Sequence, residues 1–449
     1  MSQRRETTRR FDPFIPGVAC LVLAVMGLLH GFYPRVYHDI LDIWMLQPFD
    51  DPFQDLSFVT ASVSCFGQGI DVYATNPCDI IDRQFNYSPL WLRLSFLPHG
   101  PIWTNILGLI VMAGFLVSLG CMTWPRQWRG RLLAVLGVLS YSTAYAVERG
   151  NMDLVMFIFA AFAALVLGGR PLVRGIAYAA IVFTTMLKFY PAVALIILLR
   201  ERWRTVLAAG AVIVVALGLF AVAFRDEFGR MAATLPVTWP PGLAWGAKGL
   251  PRGLNDVLPD LLTVLGYDAP WAVAARDSHL PAFVLLIVLL LGALGTAMRL
   301  SRAPRFTAAL DTLSPASDRL LLIGAALVCG CFFLGQSLPY RAIHLLFVLP
   351  VFLSLGEAAP PAGRTPFRWT VVVMLLILWE LPIRWRVPWI VGARFVPTEG
   401  PVFAFVPGSL LTYIAWVALE LCWWWVITVL LAVLLRFLAS VGGGVRAAA

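Results

Sequence analysis

The chain has 449 residues, of which 60% are hydrophobic and 13% charged. Soluble domains carry about 45–50% apolar and about 25% charged residues, so water cannot be the only solvent of this one. The formal net charge of +9 does not require nucleic acid, because the basic residues are spread along the chain beside apolar blocks and suit one face of a membrane.

Taken in chain order, apolar blocks fall at 14–33, 101–121, 206–224, 280–298, 320–333, 369–381 and 410–435, with shorter ones at 132–147, 154–167, 176–187, 191–199 and 343–355. Blocks of about 18 apolar residues are candidate membrane spans. Counting the shorter ones gives an all-α integral membrane bundle of about twelve spans, organised as a single polytopic domain over 1–449. The first block follows Arg4, Arg5, Arg9 and Arg10 and reads as a retained signal anchor.

Placing the N-terminus in the cytoplasm and alternating sides gathers the basic residues on one side. Arg126, Arg129, Arg131, Arg170, Arg174, Arg200, Arg202, Arg204, Arg299, Arg302, Arg305, Arg319, Arg364, Arg368, Arg436 and Arg446 join the four N-terminal arginines there. Of the acidic residues, only Glu6, Asp12, Glu201, Asp311, Asp318 and Glu357 share that side. This is the asymmetry of a cytoplasmic face. It predicts a multi-pass protein of the inner (plasma) membrane, with both termini cytoplasmic and long outer loops at 35–100 and 225–279. A third outer stretch runs from Arg384 to about Pro407. Long loops on one side, with no internal repeat, fit chemistry at the outer face better than transport.

Within the first loop, Asp50-Asp51-Pro52 predicts a helix start, with Asp51 as N-cap and Pro52 at the first helical position. The expected helix covers 52–66 and ends at Gly67. Phe53, Leu56, Thr60 and Val63 recur on one face, as on a helix lying on the membrane surface. A second helix start is expected near Asn76-Pro77. Cys65 and Cys78 share this loop and could be bridged or free, whereas the other five cysteines lie in or beside apolar segments, as small buried hydrophobes do.

Four places could carry chemistry. Asp55 stands in the first turn of the surface helix. There the helix dipole favours an ionised carboxylate, either as a general base or merely as a complement to the helix end. Lys188 and Lys248 are the chain's two lysines, and Lys188 lies between two short apolar runs, where a broken or re-entrant path is expected. Intramembrane cations are functional or snorkelling. Arg341 and His344 are three apart and suit a phosphate group, or act as interfacial anchors. The stretch 148–153, Glu-Arg-Gly-Asn-Met-Asp, reads as a charged outer turn. No Asp-x-Asp or Glu-x-Asp triplet occurs, so no metal site or cofactor is expected. Walker, Rossmann, Gly-x-Ser-x-Gly and His-Glu-x-x-His motifs are also missing, which leaves ATP hydrolysis, hydride transfer and zinc hydrolysis without support.

Several short motifs resemble one family. Asp55-Leu56, Gly69-Ile70-Asp71-Val72-Tyr73 and Asn86-Tyr87-Ser88-Pro89-Leu90 resemble the first outer loop of polyprenol-phosphate-mannose-type glycosyltransferases, glycosyltransferase family 87 of the GT-C superfold. Lys188-Phe189-Tyr190-Pro191 with Arg200 and Arg204, and Gln336-Ser337 with Tyr340-Arg341 and 345–350, resemble its later segments. The resemblance spans roughly residues 10 to 355 and departs at 148–153, where the family has Gly-Gln-x-Asn, and beside Gln336, which lacks an asparagine. It implies an inverting transfer of a sugar, mannose first among them, from a polyprenyl-phosphate donor to a glycolipid or glycan acceptor, among membrane lipids and without nucleic acid. Asp55 would be the base, and Lys188, Arg341 and His344 would serve the donor phosphate. Asp71, Tyr87, Arg149, Asn151, Gln336 and Tyr340 would make further substrate contacts. The competing expectation is a multispan transporter or flippase for a lipid-linked or anionic substrate, which would account for the spans and for the charges of Lys188, Arg341 and Glu420, but not for the long one-sided loops.

Overall fold

The computed structural model describes residues 11–46, 49, 51–96, 98–235, 245–264, 266–267, 270–335, 337–358, 361–384 and 410–448. Asp50 and Gln336 lie outside the described residues. Among those described the chain is helical without β-strands, and Trp245 and Ser337 form an isolated bridge.

The first half of the chain comprises α1 (Phe14–Phe32), α2 (Pro34–Ile43), α3 (Gln54–Gly67), α4 (Pro101–Gly120), α5 (Trp128–Val138), α6 (Tyr141–Arg149), α7 (Met152–Val166), α8 (Pro171–Lys188) and α9 (Trp203–Ala223). The second half comprises α10 (Arg225–Thr234), α11 (Gly249–Val264), α12 (Pro270–Ser278), α13 (Leu280–Arg302), α14 (Pro304–Leu310), α15 (Pro315–Leu334), α16 (Leu349–Ala358), α17 (Pro361–Leu378) and α18 (Leu410–Ala448). Proline begins α2, α4, α8, α14 and α15, where its missing N–H has no intrahelical partner to lose.

Among the described residues 7 helices are long and apolar enough to cross a membrane, or up to 9 if each bent pair is one span. The bent pairs are α5 with α6, at 46°, and a 3-10 helix Pro339–Phe347 followed by Leu349–Glu357, at 48°. Shorter apolar helices are Met152–Val166, Tyr190–Arg200 and Pro366–Leu378. This is an all-α protein with the helices of a multi-pass membrane chain, and the expected twelve spans remain an expectation. Burial grades the bundle. None of the spanning window of α9 is buried, against 67% of that of α15. Leu207, Val212, Val215 and Leu219 of α9 stand exposed, a surface suited to lipid and not to water. Around α15 pack α7, α18 and the 3-10 helices Tyr190–Arg200 and Pro339–Phe347.

Four expectations need correction. No helix starts near Asn76-Pro77, where the described chain runs in turns. The surface helix starts at Gln54, not Pro52, and its N-cap is Phe53, held at φ 63° and ψ 36°, not Asp51. Asp51 instead offers its backbone carbonyl to Gln54 Nε2 at 3.2 Å. The run before Lys188 is not short, because 176–187 belongs to an 18-residue helix, α8, which Lys188 ends; the expected break follows at Phe189, at φ 47°, before the short 3-10 helix Tyr190–Arg200. Finally, the stretch 148–153 is no solvated turn: Glu148, Arg149, Asn151 and Asp153 are all buried. The open question about the cysteines is answered by a disulfide between Cys65 and Cys78, which ties the end of α3 to the loop that follows.

Candidate active site

Four segments converge at one end of the bundle: the first turn of α3, the junction of α6 and α7, the end of α8, and the 3-10 helix Pro339–Phe347. The junction makes this possible. Gly150 adopts φ 57°, which terminates α6 in the left-handed region that glycine tolerates. Asn151 then caps α7, its Oδ1 accepting from the Asp153 N–H at 2.9 Å. A Cβ on Gly150 would meet Phe53 Cβ at 3.0 Å and Leu56 Cβ at 3.2 Å, so α3 approaches the junction closely. Phe53 N–H donates to the Glu148 carbonyl at 2.8 Å and seals the contact.

Asn151 bridges the two halves of the site. Its Nδ2 donates to Asp55 Oδ2 at 2.6 Å. Its Oδ1 accepts from Lys188 Nζ at 3.4 Å. The other Asp55 oxygen accepts from Arg83 Nη1 at 3.3 Å. Arg83 is itself fixed by Asp79 through Nε and Nη2, both at 2.9 Å, and lies over the Phe58 ring at 4.6 Å. Burial works against its charge, but the hydrogen bond and charge of Asp79, then the charge of Asp55, hold the guanidinium above its ordinary pKa. The Asp55 side chain stays 22% exposed, so this anchored carboxylate remains open to an incoming group. Each carboxylate oxygen has a second lone pair, so both bonds leave it able to accept another proton donor.

On the far side of Asn151, Asp153 gathers the cations. Its Oδ1 accepts from Lys188 Nζ at 2.7 Å and from the Tyr190 hydroxyl at 2.7 Å. Because Tyr190 spends its proton there, the 2.7 Å contact to His344 must be a donation from His344 Nε2–H. Arg341 Nε lies 3.9 Å from Asp153 Oδ2, too far for a hydrogen bond, and neither atom has one among the described residues. Lys188 Nζ sits 5.3 Å from the Tyr87 ring centroid and 5.7 Å from that of Tyr340, within cation–π range. Burial, then the charge of Asp55, push the Tyr87 phenol well above its ordinary pKa, so it stays a neutral donor. The end of α8 is held by Ser88, whose hydroxyl donates to the Met186 carbonyl at 2.5 Å, and by Trp91, whose indole donates to that of Leu187 at 3.1 Å.

Asp55, Asn151, Lys188, Tyr87, Tyr340 and Arg341 therefore meet. Asp71 does not join them. It is exposed, starts a turn by accepting from the Tyr73 N–H at 3.2 Å, and pairs with Arg230 at 3.2 Å. His344 is fully buried and reaches the cluster only through Tyr190, so it cannot touch a phosphate as expected without a rearrangement. Arg149 pairs with Glu148 at 3.0 Å and stacks over Phe49 at 4.1 Å, one residue before the junction glycine. Sequence reasoning missed Asp153, the hub of the cations, and the reach of Arg83 to Asp55. The signal for Asp153 was present, since Asn-x-Asp before an apolar run is a helix start, but a charged turn looked sufficient. Among the described residues no group of three His, Cys, Asp or Glu side chains could hold a metal ion.

No family model, no curated protein and no solved structure matches the chain. The resemblance described above rests on the residues alone.

Proposed function

We propose that this protein is an inverting glycosyltransferase of the GT-C type, moving a sugar, mannose foremost, from a polyprenyl-phosphate donor to a glycolipid or glycan at the outer membrane face. The observation that supports it is the two-sided site around Asn151: a partly exposed carboxylate on one side of a single amide, two cations on the other. An inverting displacement asks for that division. The acceptor hydroxyl gives its proton to Asp55 as its oxygen bonds to the anomeric carbon. The bond from that carbon to the phosphate oxygen breaks on the opposite face, and the polyprenyl phosphate leaves as an anion. Lys188 and Arg341 stabilise the charge that grows on it, so no general acid is needed. The motifs that resemble glycosyltransferase family 87 agree with this reading. Of the membrane charges a transporter would account for, Glu420 pairs with Arg384, which also pairs with Glu380.

Purified protein with labelled polyprenyl-phosphate mannose tests the donor side. Lys188→Ala and Arg341→Ala each remove a charge-assisted contact worth about 1.5–3 kcal/mol, so the donor KM or the turnover should worsen by roughly tenfold or more. Unchanged kinetics in both variants would make these residues anchors.

A further inference from the structure

A cavity of about 300 Å³ lies on the other flank of α3, between α1, α2, α4 and α6. Its long walls are apolar. On α1 it is lined from Ala19 to His30 and on α4 from Asn105 to Phe115, which at 1.5 Å per residue is a slot about 15–17 Å long. That is roughly half of a 30 Å hydrocarbon core. The last turn of α1, the first turns of α4 and the last turn of α6 put His30, Asn105 and Glu148 at one end, with Pro52 and Phe53. Asp55 follows Phe53 by two residues, so the polar end of the slot adjoins the candidate base.

The chemistry of that end is selective. Glu148 is 8% exposed and lines the cavity, and its Oε1 has no hydrogen-bond partner among the described residues; nor has His30 Nδ1. With the Asn105 amide these are hydrogen-bonding groups for hydroxyls. No lysine or arginine lines the slot. Lys188 and Arg341 stand beyond Asn151, on the far side of Asp55. A phosphate in the slot would face the Glu148 carboxylate, whose neighbour Arg149 is already paired with it at 3.0 Å and does not line the slot.

We infer that the slot binds the hydrocarbon chain of an uncharged, hydroxyl-rich glycolipid, the acceptor, and holds its head group against Glu148 and His30 beside Asp55. This rests on the glycosyltransferase reading for the word acceptor, while binding of the lipid itself does not. The two lipids would then approach Asp55 from opposite sides, the donor from the cations and the acceptor from the slot.

Gly27 gives a clean probe. It lines the slot, and a Cβ built on it meets no atom within 4 Å, so a side chain can begin there without a clash and Gly27→Phe adds bulk at the slot wall. The full chain in nanodiscs is photolabelled with a glucosyl diacylglycerol carrying a diazirine in one acyl chain, and separately with a polyprenyl phosphate carrying one on its last isoprene. Labelled residues are mapped by mass spectrometry. The glucolipid should label Met26, Leu109 and Met112 well above the exposed residues of α9. Gly27→Phe, checked for an unchanged melting temperature, should cut that labelling by at least about tenfold, equivalent to two or so methylenes losing burial. Leu109→Trp, from the opposite wall, should do the same. Polyprenyl phosphate labelling the slot instead, or glucolipid labelling no stronger than on α9 or untouched by both variants, would overturn the assignment. Slot labelling without any sugar transfer would leave the lipid site standing and remove the enzymatic reading.

Discussion

Asp153 shows how much one side chain can organise when it is fully buried. It binds Lys188 and Tyr190 directly and, through Tyr190, fixes the tautomer of His344. Removing one partner of a buried pair strands the other, at about 3–5 kcal/mol. Asp153→Ala should therefore destabilise the protein by about that amount, and adding Lys188→Ala should return part of the loss, because no unpaired ammonium remains. Denaturant unfolding in detergent measures both, and a double variant no better than the single one would show that the pair is not coupled. The sequence could nominate Asp55, Asn151, Lys188 and Arg341 from their residue types and motifs. It could not show that Asp71 turns away to Arg230 while Arg83 reaches back to Asp55, because that choice depends on the fold of the loop 68–90 and its disulfide.

At the level of elements, the site depends on how closely α3 meets the turn between α6 and α7. Gly150 sits at φ 57° with Phe53 and Leu56 against it. Gly150→Ala pays the left-handed penalty of about 1–2 kcal/mol and pushes α3 outward, which should lengthen the bond between Asn151 and Asp55. We expect a drop in turnover larger than the small loss of melting temperature suggests, with donor KM little changed, since Lys188 and Arg341 lie on other segments. An equal loss in a donor-binding assay would argue that the junction supports the whole site and not the base alone. The two unusual elements are the 3-10 helices Tyr190–Arg200 and Pro339–Phe347, of 11 and 9 residues, far beyond the 3–4 residues common for this helix. Their rise of about 2.0 Å per residue lets short stretches reach further through a membrane than an α-helix would. Periodicity in the sequence located these stretches as short apolar runs but could not tell a 3-10 from an α path, nor see that Phe53 and not Asp51 would cap α3.

For the whole molecule, composition and block length already pointed to a helical membrane protein, because apolar surface on the scale of α9 suits lipid and not water. Which helices lie inside the bundle was not legible, since α9 and α15 are both apolar and differ only in what surrounds them. The arginine asymmetry predicts that 35–100 faces outward. Ser88 would be a poor reporter of this, being buried and bonded to α8, but Gln84 is exposed in the same loop. Gln84→Cys should react with an impermeant thiol reagent in intact cells, above the level of the unaltered chain, and labelling only after permeabilisation would reverse the topology. In the proposed reaction, catalysis turns on Asp55. Asp55→Asn keeps the size of the side chain but can accept from only one of the two donors, Asn151 Nδ2 and Arg83 Nη1, and cannot take a proton, and general-base catalysis contributes roughly 10²–10⁴ in rate. With labelled polyprenyl-phosphate mannose as donor and a total lipid extract of the host membrane as acceptor, purified Asp55→Asn should lose at least about a hundredfold in turnover while binding the donor as before; near-native turnover would rule out Asp55 as the base.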